Sequence, residues 1–286
     1  MDFRTTVDIP KGSFEIEPCE DMLFVGSCFA DNLGHQFQEN QFHALVNPYG
    51  VMYNPVSVKH TIEKLILQPL IEKGGKVPNV NDKWLPKTVV MTLGTNHVYI
   101  LKETGEIVDN CQKRPQRLFE EKALTVDACA DALSEAIELL NKGVRFLLTV
   151  SPIRYRKYGY HGSQLSKATL LLAADEVCRR YPHQVDYFPA YEIVNDELRD
   201  YRFYADDMLH PSSKAVEYIW ERFVDAYLSD GAKAFLKEWE PLKAALQHRP
   251  FHPDSQEYKD FMNKTMLKVG ELSKKYPNFA LQKQYL

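Results

Sequence analysis

The sequence predicts an α/β fold: a mostly parallel sheet covered on both faces by helices, followed by a C-terminal helical extension. Short apolar runs at 22–25, 89–93 and 146–150 have the length of buried strands, far below the roughly 20 apolar residues that span a bilayer. Stretches of helical periodicity separate these runs, and regular alternation of strand and helix marks parallel pairing through crossover helices. Beyond residue 228 the strand signal stops and only helical periodicity remains.

The first strand, 22–25, ends at Gly26. The segment that follows, to Gln38, places Phe29, Leu33 and Phe37 four apart on one helical face, so the chain opens as strand, sharp turn, helix. Asn47-Pro48-Tyr49-Gly50 is a loop of turn formers behind the apolar Ala44-Leu45-Val46, and a helix is expected over 55–70. Residues 88–93 read as a central strand ending at Gly94. A hairpin follows, 97–101 against 107–108, around Thr104-Gly105. Helical period over 126–141 stops at Gly143 and feeds a buried strand over 145–150. A helix over 164–180, a short strand over 185–188 and a helix from about Pro211 to Leu228 complete the core. Helices over 233–246 and 256–274 form the extension. The expected division is a core of residues 1–230 and an extension, 231–286, packed on it.

Composition narrows the function classes. A chain of 286 residues with 44% hydrophobic content can bury a sizeable core. The net charge of -4 arises from 39 acidic and 35 basic residues dispersed along the chain, which argues against nucleic acid as a partner. No membrane partner is expected either. The first ten residues mix charges and lack an apolar stretch, so a cytoplasmic location is the expectation. The 5 cysteines are odd in number and show no C-x-x-C spacing, against both a disulfide framework and a structural zinc site. Histidines lack metal-ligand spacing and no Gly-rich phosphate loop occurs, so neither a metal nor any other cofactor is expected. Oligomeric state is left open, a homo-oligomer included.

In an open parallel sheet, ligands sit outside the carboxyl ends of the strands, so the loops after Val25, Leu93, Val150 and Phe188 should meet at one crevice. Those loops bring Gly26, Ser27 and Cys28; Gly94, Thr95, Asn96 and His97; and Ser151, Arg154 and Arg156. Asp207 stands three residues ahead of His210 at a helix start. A carboxylate that fixes one imidazole nitrogen leaves the other free to act as a base toward a hydroxyl or thiol. An Asp-x-x-His before proline is also a plain helix-capping pattern. Its company adds weight: Gly26-Ser27-Cys28 puts small nucleophiles at a strand-to-helix turn, with backbone amides placed to stabilise an oxyanion.

Gly26-Ser27-Cys28-Phe29-Ala30 resembles the motif that names the GSCFA family, a bacterial group within the SGNH/GDSL hydrolase superfamily. The resemblance continues through Asn47-Pro48-Tyr49-Gly50, Tyr53-Asn54-Pro55, Thr92-Leu93-Gly94-Thr95, Thr149-Val150-Ser151-Pro152, Ser163-Gln164-Leu165-Ser166-Lys167 and Tyr201-Arg202-Phe203-Tyr204-Ala205-Asp206-Asp207-Met208-Leu209-His210-Pro211. It implies a three-layer α/β/α, SGNH-hydrolase-like (flavodoxin-like) sheet. It also implies an esterase or acyl-transfer reaction through a covalent intermediate, with acylated carbohydrate as one substrate by analogy. Asp207 and His210 carry over as orienter and base. Gly50 resembles the glycine donor of the oxyanion hole, and Asn96, in Gly94-Thr95-Asn96, resembles the asparagine donor, with Asn47 a competing candidate.

The sequence departs from the superfamily in two places. Aligned without gaps, the superfamily's Gly-Asp-Ser falls on Gly26-Ser27-Cys28 and puts Cys28 in the nucleophile slot; a shift of one residue restores Ser27. Both chemistries are open, since either side chain needs the same base. Between 70 and 87 the chain is shorter than the family's usual insert and keeps only Trp84 of its tryptophan and histidine content.

Arg154, with its fork of donors, is a candidate grip for a substrate carboxylate or phosphate, and His161, Gly94 and Thr95 are candidate lining residues. Lys167 and His161 also fit a plain polar helix start. Three functions compete: an acyl-transfer enzyme on a small-molecule or glycan substrate, a non-catalytic module binding carbohydrate or acyl-thioester, and a docking scaffold using the last two helices. A thiol or hydroxyl within about 4 Å of the His210 imidazole would favour the enzyme.

Overall fold

The computed structural model describes residues 4–67, 85–109, 111, 114–140 and 143–282. The chain begins with β1 (Asp21–Gly26), α1 (Cys28–Glu39), β2 (His43–Val46), α2 (Pro55–Leu67) and β3 (Thr88–Leu93). A small sheet follows, made of β4 (His97–Leu101), β5 (Ile107–Val108) and β6 (Phe119–Ala123). Next come α3 (Val126–Glu138), β7 (Arg145–Val150), α4 (Gly159–Arg180), β8 (Val185–Tyr187) and the short α5 (Ala190–Glu192). Helices α6 (Ser213–Tyr227), α7 (Asp230–Gln247) and α8 (Gln256–Lys275) close the described chain.

The main sheet is parallel, in the order β2-β1-β3-β7-β8. Successive side chains of a strand point to opposite faces, and both faces here are apolar. Phe24, Val90 and Leu147 join Phe29 and Phe37 of α1, Phe223 of α6 and Trp239 of α7 in one cluster. Leu23, Val25, Val89, Met91 and Leu148 join Ile62 of α2, Leu133 of α3 and Val177 of α4 in the other. The result is the three-layer α/β/α architecture. The winding reverses between β1 and β3, the switch point where such sheets open a crevice above their strand ends.

The expected hairpin forms, with β4 antiparallel to β5. A third strand, β6, pairs with the other edge of β4 and was not anticipated. Its sequence, Phe-Glu-Glu-Lys-Ala, buries only Phe119, so it shows none of the alternation that marks a half-buried strand. Helix α4 starts at Gly159, ahead of the expected 164, and α3 stops at Glu138. Helix α6 starts at Ser213 because Ser212 caps it, its hydroxyl accepting from Ala215 N at 3.3 Å. The shortened segment with Trp84, the last turn expected of the helix over 55–70, and residue 141 lie outside the described residues.

Only Leu228 and Ser229 separate α6 from α7. The apolar face of α7 carries Phe235 and Trp239 into the cluster of α1, and α8 adds Val269 and Leu272. Trp239 Nε1 donates to the Glu39 carbonyl at 3.0 Å, at the carboxyl end of α1, and Lys243 Nζ reaches Glu39 Oε2 at 2.8 Å. On the outer side of α8, Met266 and Leu267 are exposed. Among the described residues, no helix is long and apolar enough to cross a membrane.

Candidate active site

The turn from β1 into α1 requires glycine at position 26. Gly26 has φ +133°, and a Cβ there would lie 2.1 Å from Thr92 O on the neighbouring strand. Ser27 follows in extended conformation as the N-cap of α1, its Oγ accepting from Phe29 N at 3.3 Å and meeting Thr92 Oγ1 at 3.0 Å. A capping side chain folds back onto its own helix. The next residue is Cys28, half-buried, with Sγ 3.9 Å from His210 Nε2. The fold thus brings Cys28 to the imidazole and leaves Ser27, 1% exposed, as an internal cap.

Asp207 holds the other side of that imidazole. Its Oδ2 lies 2.5 Å from His210 Nδ1, and its Oδ1 accepts from Leu209 N at 2.9 Å and His210 N at 3.0 Å. The His210 and Leu209 amides, then the imidazole, pull the carboxyl down to about 2. Asp207 is therefore an acceptor throughout the neutral range, which places the proton of a neutral imidazole on Nδ1 and a lone pair on Nε2 toward the thiol. Burial pushes the Cys28 thiol up, with the Tyr53 phenol, the Cys28 backbone and Lys167 acting in the opposite sense. Cys28 thus rests as a thiol that needs its base.

The loop carrying this pair is pinned at several points. Ala205 N donates to His210 O at 2.8 Å, and Met208 takes a left-handed φ of +57°. Arg154, expected to grip a substrate anion, instead supports this loop. Its backbone N–H donates to Leu209 O at 3.0 Å, and its Nη1 donates to Met208 O at 3.3 Å. The guanidinium packs over the rings of Tyr160, Tyr204 and Tyr201 at 4.4, 5.4 and 5.7 Å.

The three expected oxyanion donors point elsewhere. Gly50, at φ +92°, gives its N–H to Asn47 O at 2.8 Å. Asn47 accepts from Gly26 N at 2.9 Å through Oδ1 and donates to Asp31 Oδ1 at 2.7 Å, so it braces the turn below the thiol. Asn96 turns toward the small sheet, where its Nδ2 donates to Leu124 O at 2.7 Å. Gly94 and Thr95 both donate their N–H to Tyr53 O at 2.8 Å. A Cβ on Gly94 would come within 3.1 Å of that oxygen, which accounts for the bare residue. Thr95 Oγ1 meets Ser166 Oγ at 3.0 Å. His161, exposed on the first turn of α4, is not brought to the site.

A cavity of about 540 Å³ is lined by Ser27, the residue before the thiol, and by Gly94, Ser151 and Lys167. Its walls carry Tyr53, Tyr99, Tyr155 and Tyr158, and across the small sheet it reaches His97, Glu121 and Lys157. Lys157 Nζ donates to Glu121 Oε2 at 2.7 Å and to the Tyr99 hydroxyl, and the His97 ring stacks on Tyr158 with centroids 3.8 Å apart.

Two further neighbours of Cys28 are Tyr53, which the sequence did not single out, and Lys167, which it offered as crevice lining or a plain polar helix start. The Tyr53 phenol hydrogen-bonds with the thiol and is pushed up to about 12, mainly by burial. Lys167 is 2% exposed, its Nζ donating to Gly94 O at 2.8 Å and Ser151 O at 2.7 Å. The signal for Lys167 was its spacing: Ser163, Lys167 and Leu170 fall at i, i+4 and i+7 on one buried face of α4.

Together these features define a three-layer α/β protein with a thiol, an imidazole and a carboxylate in line at the switch point of its sheet. The chain belongs to the GSCFA family, which it matches over residues 21–86 and 83–223; residues 239–285 match the C-terminal domain of GSCFA domain proteins. Among curated proteins no sequence matches it. Several solved structures are similar. A member of the lipolytic protein G-D-S-L family from Veillonella parvula DSM 2008 is 12% identical, with a TM-score of 0.44 over 72% of this chain and 97% of that one. A mutant of Axe2, an acetyl-xylooligosaccharide esterase from Geobacillus Stearmophilus, is 10% identical, with a TM-score of 0.45 over 74% and 96%. A carbohydrate esterase described as displaying divergent catalytic and non-catalytic binding functions is 12% identical, with a TM-score of 0.37 over 76% and 69%. With TM-scores of 0.37 to 0.45, these likenesses decide nothing about the reaction.

Proposed function

We propose that the protein transfers acyl groups from esters through a thioester on Cys28, with His210 as base and Asp207 as its orienter. The observation that carries this is the alignment of Cys28 Sγ, 3.9 Å from His210 Nε2, with Asp207, 2.5 Å from His210 Nδ1. In the first half-reaction His210 takes the thiol proton as sulfur adds to the ester carbonyl. Collapse of the adduct breaks the ester C–O bond, and the departing alkoxide takes the proton from His210. In the second half-reaction a water, or the hydroxyl of an acceptor, gives its proton to His210 and attacks the thioester. The C–S bond breaks, the sulfur recovers the proton, and an acid or a new ester leaves. No cofactor is needed in these steps.

The cavity supports a small polar alcohol as the other half of the ester. Its tyrosine rings offer flat apolar faces, while Lys157, Glu121 and His97 offer hydrogen bonds, a combination suited to an acylated sugar or similar polyol.

Intact-mass measurement after p-nitrophenyl acetate, with a fluorophosphonate and iodoacetamide as separate probes, tests the assignment on wild type, Ser27→Ala, Cys28→Ala and His210→Ala. The expected result is an acetyl adduct lost in Cys28→Ala, strongly slowed in His210→Ala and retained in Ser27→Ala. An adduct confined to Ser27 would reassign the nucleophile. Absence of any His210-dependent labelling would favour a binding module on the same scaffold.

A further inference from the structure

Lys167 is a buried amine whose protonated form has no evident use in packing. Lysine carries three N–H donors, and two are engaged, by Gly94 O at 2.8 Å and Ser151 O at 2.7 Å. Among the described residues the third has no acceptor, and no carboxylate lies within ion-pair distance of Nζ. Taking an ammonium out of water without a paired anion is costly, and methionine would fill the same volume without that cost. The group nevertheless lines the same cavity as Ser27.

Its position relates it to the thiol. Gly94, whose carbonyl holds Nζ, approaches Ser27 closely, the site of a Cβ on Gly94 being 3.4 Å from Ser27 Cβ. Cys28 is the next residue, and its charge and that of Lys167 act on each other. A thiolate adding to a carbonyl builds negative charge on the carbonyl oxygen, which needs donors placed in advance. The first-turn N–H of Cys28 is bonded to no other residue among those described and faces its own sulfur, where it can be one. Of the side-chain donors expected from the sequence, Asn96 Nδ2 is turned to Leu124 O and Asn47 Nδ2 to Asp31 Oδ1.

We propose that Lys167 supplies the side-chain donor of the oxyanion hole, its third N–H and its charge meeting the carbonyl oxygen as Cys28 adds to it. The proposal rests on Cys28 being the nucleophile. When sulfur attacks, the carbonyl π pair moves to oxygen and is met there by Lys167; when the adduct collapses, that pair re-forms C=O and the ester C–O bond breaks. The charged and titratable groups around the centre are His210 with Asp207, Tyr53 and Asp31 on the Cys28 side, and the Tyr191 ring, 5.9 Å from Nζ, on the lysine side. Burial lowers Lys167 to about 7, and negative charge at Cys28 acts in the opposite sense, so the anion and its cation favour each other.

The test compares two reactions of one thiol in the full chain. Acetylation by p-nitrophenyl acetate passes through an oxyanion; alkylation by iodoacetamide does not. In Lys167→Met, acetylation of Cys28 is expected to slow about a hundredfold or more. Alkylation should slow less than about tenfold, the size of a one-unit change in thiol pKa. Lys167→Gln, which keeps donors for the two carbonyls, answers the same question if the methionine variant does not fold. Equal slowing of both reactions, or slowing of neither, overturns the proposal. If wild-type Cys28 is alkylated but never acetylated, the nucleophile assignment itself falls, and this inference with it.

Discussion

Two imidazole–aspartate pairs of similar length serve different ends in this molecule. His210 Nδ1 lies 2.5 Å from Asp207 Oδ2, and His60 Nδ1 lies 2.7 Å from Asp109 Oδ1. Asp109 is shared, because Lys64 Nζ reaches its second oxygen at 2.6 Å, so the cluster ties α2 to the chain just beyond β5. Among the described residues Asp207 has no lysine or arginine partner; two backbone amides of its own loop hold it, and its imidazole presents Nε2 to a thiol. The spacing of acid and base is thus not what makes a site. The difference lies in what the far nitrogen meets and in whether the carboxylate serves one partner or two.

The contrast can be broken or sharpened by substitution. His210→Ala is expected to slow acetylation of Cys28 by about 10²–10⁴-fold, while His60→Ala leaves it near the wild-type rate, both followed by p-nitrophenolate release. At the carboxylates the effects should separate in kind. Asp207→Asn should slow acetylation by up to about 10⁴-fold, through loss of the correct tautomer, with little change in urea stability. Asp109→Asn should instead cost about 1–3 kcal/mol of stability and spare the rate, since it leaves a half-buried cation cluster under-satisfied.

Arg154→Ala tests whether the His210 loop needs its brace. The rate should fall by about 10- to 100-fold through misplacement of the imidazole, with the pH profile and thermal midpoint little changed. The smallest effect concerns the buried lysine. Its pKa is about 7 in the folded chain against 10.5 as the ordinary value, so within that window the unfolded chain binds the extra proton. Stability relative to Lys167→Met should therefore rise with pH from about 7 upward, by about 1.4 kcal/mol per pH unit at most. A calorimetric series whose difference between the two proteins is flat or falling would contradict the lowered pKa.

The order of strands and helices was legible because central strands such as 88–93 and 145–150 are continuous apolar runs and helices such as α1 carry a clear stripe. The Asp207 and His210 spacing was legible for a similar reason, being local. Choosing between Ser27 and Cys28 was not, because it depends on which residue caps α1, and Thr92 on a distant strand helps to fix that. The partners of Asn96 and Gly50 were hidden on the same ground: Leu124 O accepts from Asn96 Nδ2 and Asn47 O from Gly50 N, and no motif records such partners. Arg154 looked like an anion grip because sequence shows the guanidinium but not the three tyrosines around it.

The cap that Trp239 places on the far end of α1 bears on the order in which the site comes into being. Cys28 leaves the ribosome first, its base follows 182 residues later, and the indole that secures the other end of the same helix comes after that. At about 5–20 residues per second, thiol and imidazole are separated by roughly 10–35 s of synthesis. Through that interval Cys28 is an ordinary cysteine without a base. Under the proposed function, reactivity would begin only once the last core helices settle over the first, so its timing would follow from the chain's connectivity.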